Sequence, residues 1–291
     1  MRAVVLFFSL VFLVFTGTAQ AQSIFPLSEK GGLHSAYVVP IGDSDRVDVQ
    51  LIVLSGSYDD PEPSGTAHPT EHLAAYSADT TILRKPRERD ITASTYNVST
   101  VYTNSGVPSE IEMLLRLSRA VLDTPSLPEG FAESEIDIVQ RETLLRERQS
   151  PLQWLKRIAL QNLYRTLRGR ADNTIADLPK LSLEKAYQFH KEHYVPSNVT
   201  LIVSGKIEPH KAEELVAGIF GDTEPSEVPQ KPWLDHKPDP TLMSVERLKS
   251  ARLERDTVQL AKFVGFEDRS TSIDMQGAFF IATSVLNERI S

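Results

Sequence analysis

Not one cysteine occurs among the 291 residues of this chain. That absence removes disulfides, thiolate zinc ribbons, iron–sulfur clusters and cysteine nucleophiles together. The fold must therefore be held by an apolar core, and any metal by histidine, carboxylate or backbone oxygen. Core material is ample, with 41% of residues hydrophobic and 24% charged, a balance that excludes fibrous, low-complexity and disordered chains. The length suits one large domain or two ordinary ones. With a formal net charge of −8, a broad electrostatic grip on nucleic acid or anionic lipid is not expected.

The first residues read as an address. Arg2 precedes an apolar run from Ala3 to Phe15, relieved only by Ser9, and Ala19-Gln20-Ala21 follows. A basic start, a short apolar centre and an A-x-A exit predict a secretory signal peptide over 1–21, cleaved near Ala21. The run is shorter than the ~20 residues a spanning helix needs. The mature protein is thus expected to be periplasmic or secreted, with no membrane segment.

Beyond it, β-branched and apolar runs at 36–41 and 47–54, separated by Gly42-Asp43-Ser44-Asp45, predict two strands joined by a turn. A loop rich in glycine, proline and acid then leads into a helix, with Thr66 as its N-cap and Pro69 in the first turn, where no helical N–H is needed. Strands are expected near 91–94 and 100–103. Ser109-Glu110-Ile111-Glu112 reads as a capping box before a helix carrying Ile111, Leu114, Leu115, Ser118, Val121 and Leu122. Further helices are expected over 132–148, 152–167, 183–193 and from Pro209 to Phe220, with a strand over 199–204. Strands followed by paired helices predict an α+β fold, a mostly antiparallel sheet with helices packed on one face. That first domain spans 24–224. A proline-rich linker spans 225–240, and a strand at 261–266 with a helix at 273–286 would begin a second, similar and incomplete domain over 241–291.

His68, Glu71 and His72 stand at i, i+3 and i+4, so a helix places all three on one face. Two imidazoles one turn apart can share a metal ion, and the carboxylate between them can reach a water on it, the inverted form of the H-E-x-x-H arrangement. Alone, the pattern fits a surface helix with solvated histidines equally well. A catalytic zinc site needs a third protein donor. Glu135 and Glu142 are seven residues apart, and seven helical steps return to within about 20° of the start. Glu142 could ligate while Glu135 orients a histidine from behind. Glu133 and Glu147 read as solvated.

The stretch Gly65-Thr66-Ala67-His68-Pro69-Thr70-Glu71-His72-Leu73-Ala74, followed by Glu135-Ile136-Asp137-Ile138-Val139-Gln140-Arg141-Glu142, resembles the pitrilysin/insulinase family of zinc metallopeptidases, of the mitochondrial processing peptidase kind. Thr92-Ala93-Ser94-Thr95 with Thr100-Val101-Tyr102 resembles the family's N-A-x-T edge strand, with Thr92 in place of its asparagine. The segment 183–205 resembles the family's junction before a V-x-G strand. Pro69-Thr70 stands where the family has an aromatic–leucine pair. The resemblance implies that His68, His72 and Glu142 ligate one Zn2+, that Glu71 is the general base, and that Glu135 supports the ligands from behind. It implies that Thr92, Ala93, Ser94 and Thr95 bind an extended or unfolded peptide substrate, and that a second peptidase half, a like copy or a separate subunit, completes the enzyme. The expected activity is metalloendopeptidase hydrolysis through an activated water. The alternative is a non-catalytic scaffold or partner subunit of the same fold.

His190 and His193 read as structural. Asn97 and Asn198 are formal glycosylation acceptors expected to go unused, Asn97 because it would lie in the edge strand. The basic stretch 84–89 reads as a solvated turn.

Overall fold

The computed structural model describes residues 23–83, 92–128, 130–149, 174–231, 258–262 and 282–286. Alternation dictates the centre of the sheet. In β3 (Val47–Val53), Val47, Val49, Leu51 and Val53 are fully buried while the residues between them are half-exposed, the period-2 signature of a strand with one covered face. β3 pairs antiparallel with β6 (Val199–Gly205) on one side, setting Val49 opposite Val203 and Leu51 opposite Leu201. On its other side it pairs antiparallel with β5 (Thr100–Gly106). β1 (Phe25–Pro26), β2 (Ser35–Pro40) and β4 (Thr92–Thr95) complete a six-stranded sheet in the order β1-β2-β6-β3-β5-β4. Only the β2–β6 pairing is parallel. β4 is the outer strand at one edge.

Helices cover the buried face. α1 (Ala67–Leu83) packs on α2 (Ile111–Ala120) and on the β4–β5 hairpin; α2 packs on β3 and β5. α3 (Phe131–Gln149) lies against α1, as does α5 (Leu183–His193), which follows the short α4 (Thr174–Asp177). α6 (Pro209–Phe220) rests on α2 and β2. The shared core takes in Val38, Leu51, Leu114, Leu115, Leu117, Phe189, Leu201, Val216 and Phe220. Each such side chain removed from water contributes about 1.5–3 kcal/mol. This is the expected α+β architecture, with strand ends shifted by one to three residues.

Four local expectations are corrected. Thr66 does not cap α1: its hydroxyl donates to the Pro63 carbonyl. Asp60 takes that place from six residues back, its two carboxylate oxygens accepting the Gly65 and Ala67 N–H groups at 2.6 Å each. The loop can double back because Gly65 adopts φ 95°, a left-handed conformation that costs other residues more. Removing that carboxylate with Asp60→Ala should cost about 1–2 kcal/mol, a fall of several degrees in the thermal unfolding midpoint. The box at Ser109–Glu112 is not formed either. A 3-10 turn precedes α2, and Glu110 accepts the Val107 N–H instead, because Pro108 starts the turn one residue earlier. Asn97 lies in the turn between β4 and β5, not within the edge strand.

The fourth correction concerns the end of the chain. Within the predicted helix 273–286, residues Ala282–Leu286 form a strand, β8, paired antiparallel with β7 (Val258–Lys262). The β-branched Thr283 and Val285 suit a ladder as well as a helix face, and pairing with β7 decides between them. The strand expected at 261–266 thus begins earlier, at Val258. Of the linker, 225–231 carries no regular structure. The helix 152–167, the basic stretch 84–89 and the predicted signal peptide lie outside the described residues. No helix among the described residues is long and apolar enough to cross a membrane.

Candidate metal centre

The first turn of α1 places His68 beside its partners because Pro69, third residue of the helix, sits where no backbone donor is required. Proline disfavours helical geometry at the residue before it, yet His68 is helical, held by the Asp60 brace just upstream. Thr70, fully buried, explains the other half of the unusual pair. Its hydroxyl donates to the carbonyls of Thr66 and Ala186, at 2.9 and 3.2 Å, tying α1 to α5. Neither Asp60 nor Thr70 carries a sequence signal for these roles, since both partners are set by tertiary packing.

α3 delivers the acids. Glu135 is 1% exposed, and its Oε2 accepts from the His72 ring at Nδ1, at 3.0 Å. That bond fixes the tautomer and leaves Nε2 with its lone pair. One turn before, at the N-terminal end of α1, His68 Nε2 stands 3.7 Å from Glu142 Oε2. The potential ligand atoms of His68, His72 and Glu142 all lie within 4.8 Å of one another. The two imidazole rings are 5.0 Å apart, edge to face. Behind them, Tyr76 stacks edgewise on Phe131 and pins α1 to α3. Glu133 is exposed, as expected.

Electrostatics favour a neutral His68. Burial, with smaller contributions from His72 and Arg146, pushes the His68 imidazole down to about 3. At neutral pH it is therefore uncharged and its approach to Glu142 is not an ion pair. At 3.7 Å it is too long for a hydrogen bond as well. Two electron-pair donors at that separation match the ~3.4 Å edge of a tetrahedral zinc shell with bonds of about 2.0–2.2 Å. The donor set of two imidazoles and one carboxylate, one imidazole backed by a buried acid, fits zinc. Glu142 also accepts from Arg146, one turn on, at 3.2 Å, a residue whose i+4 spacing could have flagged it.

Glu71 is 6% exposed. Burial raises its carboxyl pKa, opposed by the Thr95 hydrogen bond and by His72. Thr95 Oγ1 donates to Glu71 Oε2 at 2.6 Å. Of the expected peptide-binding strand, Thr95 alone reaches the site in this way; Thr92 is exposed and Ala93 and Ser94 are half-exposed along the sheet edge. Beneath Glu71, the Tyr102 hydroxyl donates to the Glu71 carbonyl at 3.5 Å and is paired with the Tyr194 hydroxyl at 2.7 Å. Both phenols are pushed up by burial. His190 and His193 are structural, bonded to the Val121 carbonyl and to Ser55 Oγ respectively. Burial lowers both. Asn198 is buried and donates to Ser55 and to the His193 carbonyl.

Residues 180–288 match the family model described as "Peptidase M16 inactive domain". The fold is that of solved M16 proteases. The ferredoxin protease FusC, solved in complex with Arabidopsis ferredoxin, superposes with a TM-score of 0.64 and 20% identity over 86% of this chain and 30% of its own. The first half of the periplasmic protease PqqL from Escherichia coli gives 0.58 and 19% over 72% and 48%. Pitrilysin gives 0.55 and 18% over 74% and 24%. Residues 180–288 thus match an M16 domain, and the fold is the one shared by M16 proteases. An uncharacterized Schizosaccharomyces pombe protein, C3H1.02c, is 48% identical over 44 residues, 15% of this chain and 4% of that one. The chain spans about half or less of the length of the proteins it matches. The family-model match begins just before α5 and continues past β6 and α6, so α1 and α3, which carry the candidate metal-centre residues, lie outside it.

Proposed function

We propose that this chain carries the zinc-binding, catalytic part of an M16 endopeptidase acting on extended or unfolded peptides. The observation behind this reading is the convergence of His68, His72 and Glu142 with Glu71 on the same helix as the two histidines. In this reading His68 Nε2, His72 Nε2 and Glu142 hold one Zn2+, and Glu135 keeps His72 in the ligating tautomer. A bound zinc ion supplies Lewis acidity, polarising the scissile carbonyl and lowering the pKa of water toward ~7.

Glu71 is the general base. Its Oε2 is occupied by the Thr95 hydroxyl, so Oε1 takes the proton from the attacking water and returns it to the leaving amine. A carboxyl raised by burial is better matched to both transfers than an ordinary one. The outer edge of β4, next to Thr95, offers backbone groups on which a peptide can lie as an added strand, with Thr92, Ala93, Ser94 and Thr95 as its contacts. The mature protein would be exported after cleavage near Ala21, to the periplasm or outside the cell. Its catalytic domain would span 24–224, with a linker over 225–240 and a second, similar domain beginning at 241. A second peptidase half would complete the enclosure.

The family-model description, an inactive domain, favours a second reading, a non-catalytic half that binds peptide or a complementary subunit. One measurement separates the two. The purified chain, assayed alone and with a candidate complementary half, should bind about one zinc and cleave an unstructured peptide, and phenanthroline should stop the cleavage. No zinc and no cleavage in either arm would leave the binding role.

A further inference from the structure

Away from the candidate metal centre, a set of buried polar groups among the described residues surrounds the loop that feeds α1. Lys231, in the segment after α6, turns back into the domain. Its ammonium donates to the Leu54 carbonyl and to Ser55 Oγ and lies 3.7 Å from Asp59 Oδ2. The two side chains are only 10% and 1% exposed. The loop they share is a junction. Ser57 and Tyr58 donate their N–H groups to the carbonyls of Tyr96 and Asn97, in the turn that follows Thr95. Asp59 accepts the Gly56 N–H. Ser55 is bonded to His193, the last residue of α5, and to Asn198, just before β6. Asp60, the residue after Asp59, holds the Gly65 and Ala67 N–H groups and so the start of α1.

We propose that Lys231 is a positioning residue for the metal centre: its buried cation neutralises Asp59 and clamps residues 54–60, so that Asp60 holds His68 in register. A lysine ammonium is strongly hydrated and takes a buried site only where carbonyl and carboxylate oxygens replace that water. Once it is there, deleting it removes a cation from beside the buried Asp59 carboxylate, whose Oδ2 also accepts the Gly56 N–H, and the loop is expected to open to water. The disturbance passes through one residue, Asp60, to the helix that carries both imidazoles. This inference rests on the zinc reading only for its metal arm.

Hydrogen exchange on the metal-free protein tests the clamp by itself. K231M is expected to speed exchange of the Gly65, Ala67 and Thr70 amides by roughly tenfold or more while α6 amides keep wild-type protection, the pattern of local rather than global opening. In the metal arm, zinc affinity measured by chelator competition should fall by about tenfold, at the lower end of effects from residues that orient ligands. D59N/K231M, which removes the charge together with its partner, should recover most of the protection in both arms. Unchanged exchange at 65–70 in K231M, or an increase shared equally by α6, overturns the positioning role. So does a double variant no better protected than K231M, and if K231M does not fold, the double variant alone decides by its exchange at 65–70. A wild-type chain that binds no zinc removes the metal reading and leaves the exchange result standing.

Discussion

Glu71→Gln is expected to lower peptide hydrolysis by about 10²–10⁴-fold, some 3–5 kcal/mol of transition-state stabilisation, with zinc still bound at wild-type stoichiometry. The amide keeps the shape of the side chain and can still accept from Thr95 Oγ1, so the loss isolates proton transfer from positioning. Metal binding should survive because Glu71 is not among the converging donors His68, His72 and Glu142. Metal content and steady-state rates on the same preparation check it; retained activity would sink the general-base assignment.

The second large effect is expected at His72. His72→Ala removes a proposed zinc donor and also strips Glu135 Oε2 of its hydrogen-bonded partner. Glu135 is 1% exposed and its Oε1 has no hydrogen-bond partner among the described residues. The variant should therefore lose zinc binding and, separately, about 1–3 kcal/mol of metal-free stability. Glu142→Ala is the contrasting case. Glu142 is 38% exposed, so its removal should abolish tight zinc binding with little change in the metal-free protein. With zinc held 100-fold above its dissociation constant, the wild type gains about 2.7 kcal/mol, several degrees of melting temperature that a chelator should reverse. Neither variant should respond to the chelator. Differential scanning calorimetry with and without zinc measures both terms.

Much of the architecture is legible residue by residue. The alternation of Val47, Val49, Leu51 and Val53 needs no partner to declare a strand with one buried face, and the helical spacing of Leu114, Leu115 and Ser118 declares the face of α2. These are local periodicities, and the buried residues follow them. The i, i+3, i+4 spacing of His68, Glu71 and His72 and the seven-residue interval of Glu135 and Glu142 are legible for the same reason: a helix converts spacing into direction. Where two local signals compete, the sequence misleads. Thr66 and Ser109 have the right chemistry for caps, but a cap depends on where the preceding loop runs, and Asp60 and Pro108 arrive first. At 282–286 a run that suits helix and strand alike is decided by its pairing with β7.

Spacing along two helices established which groups could share a metal. Only the packing of α3 against α1 decided that Glu142 meets His68 and that Glu135 lies behind His72. The same is true of Thr95 on Glu71, of Thr70 on α5 and of Lys231 on Asp59, because each pair is far apart in the chain and joined only through the fold. Periodicity is a property of one segment, whereas a site is a relation between segments, and the buried core that brings them together is what defines it.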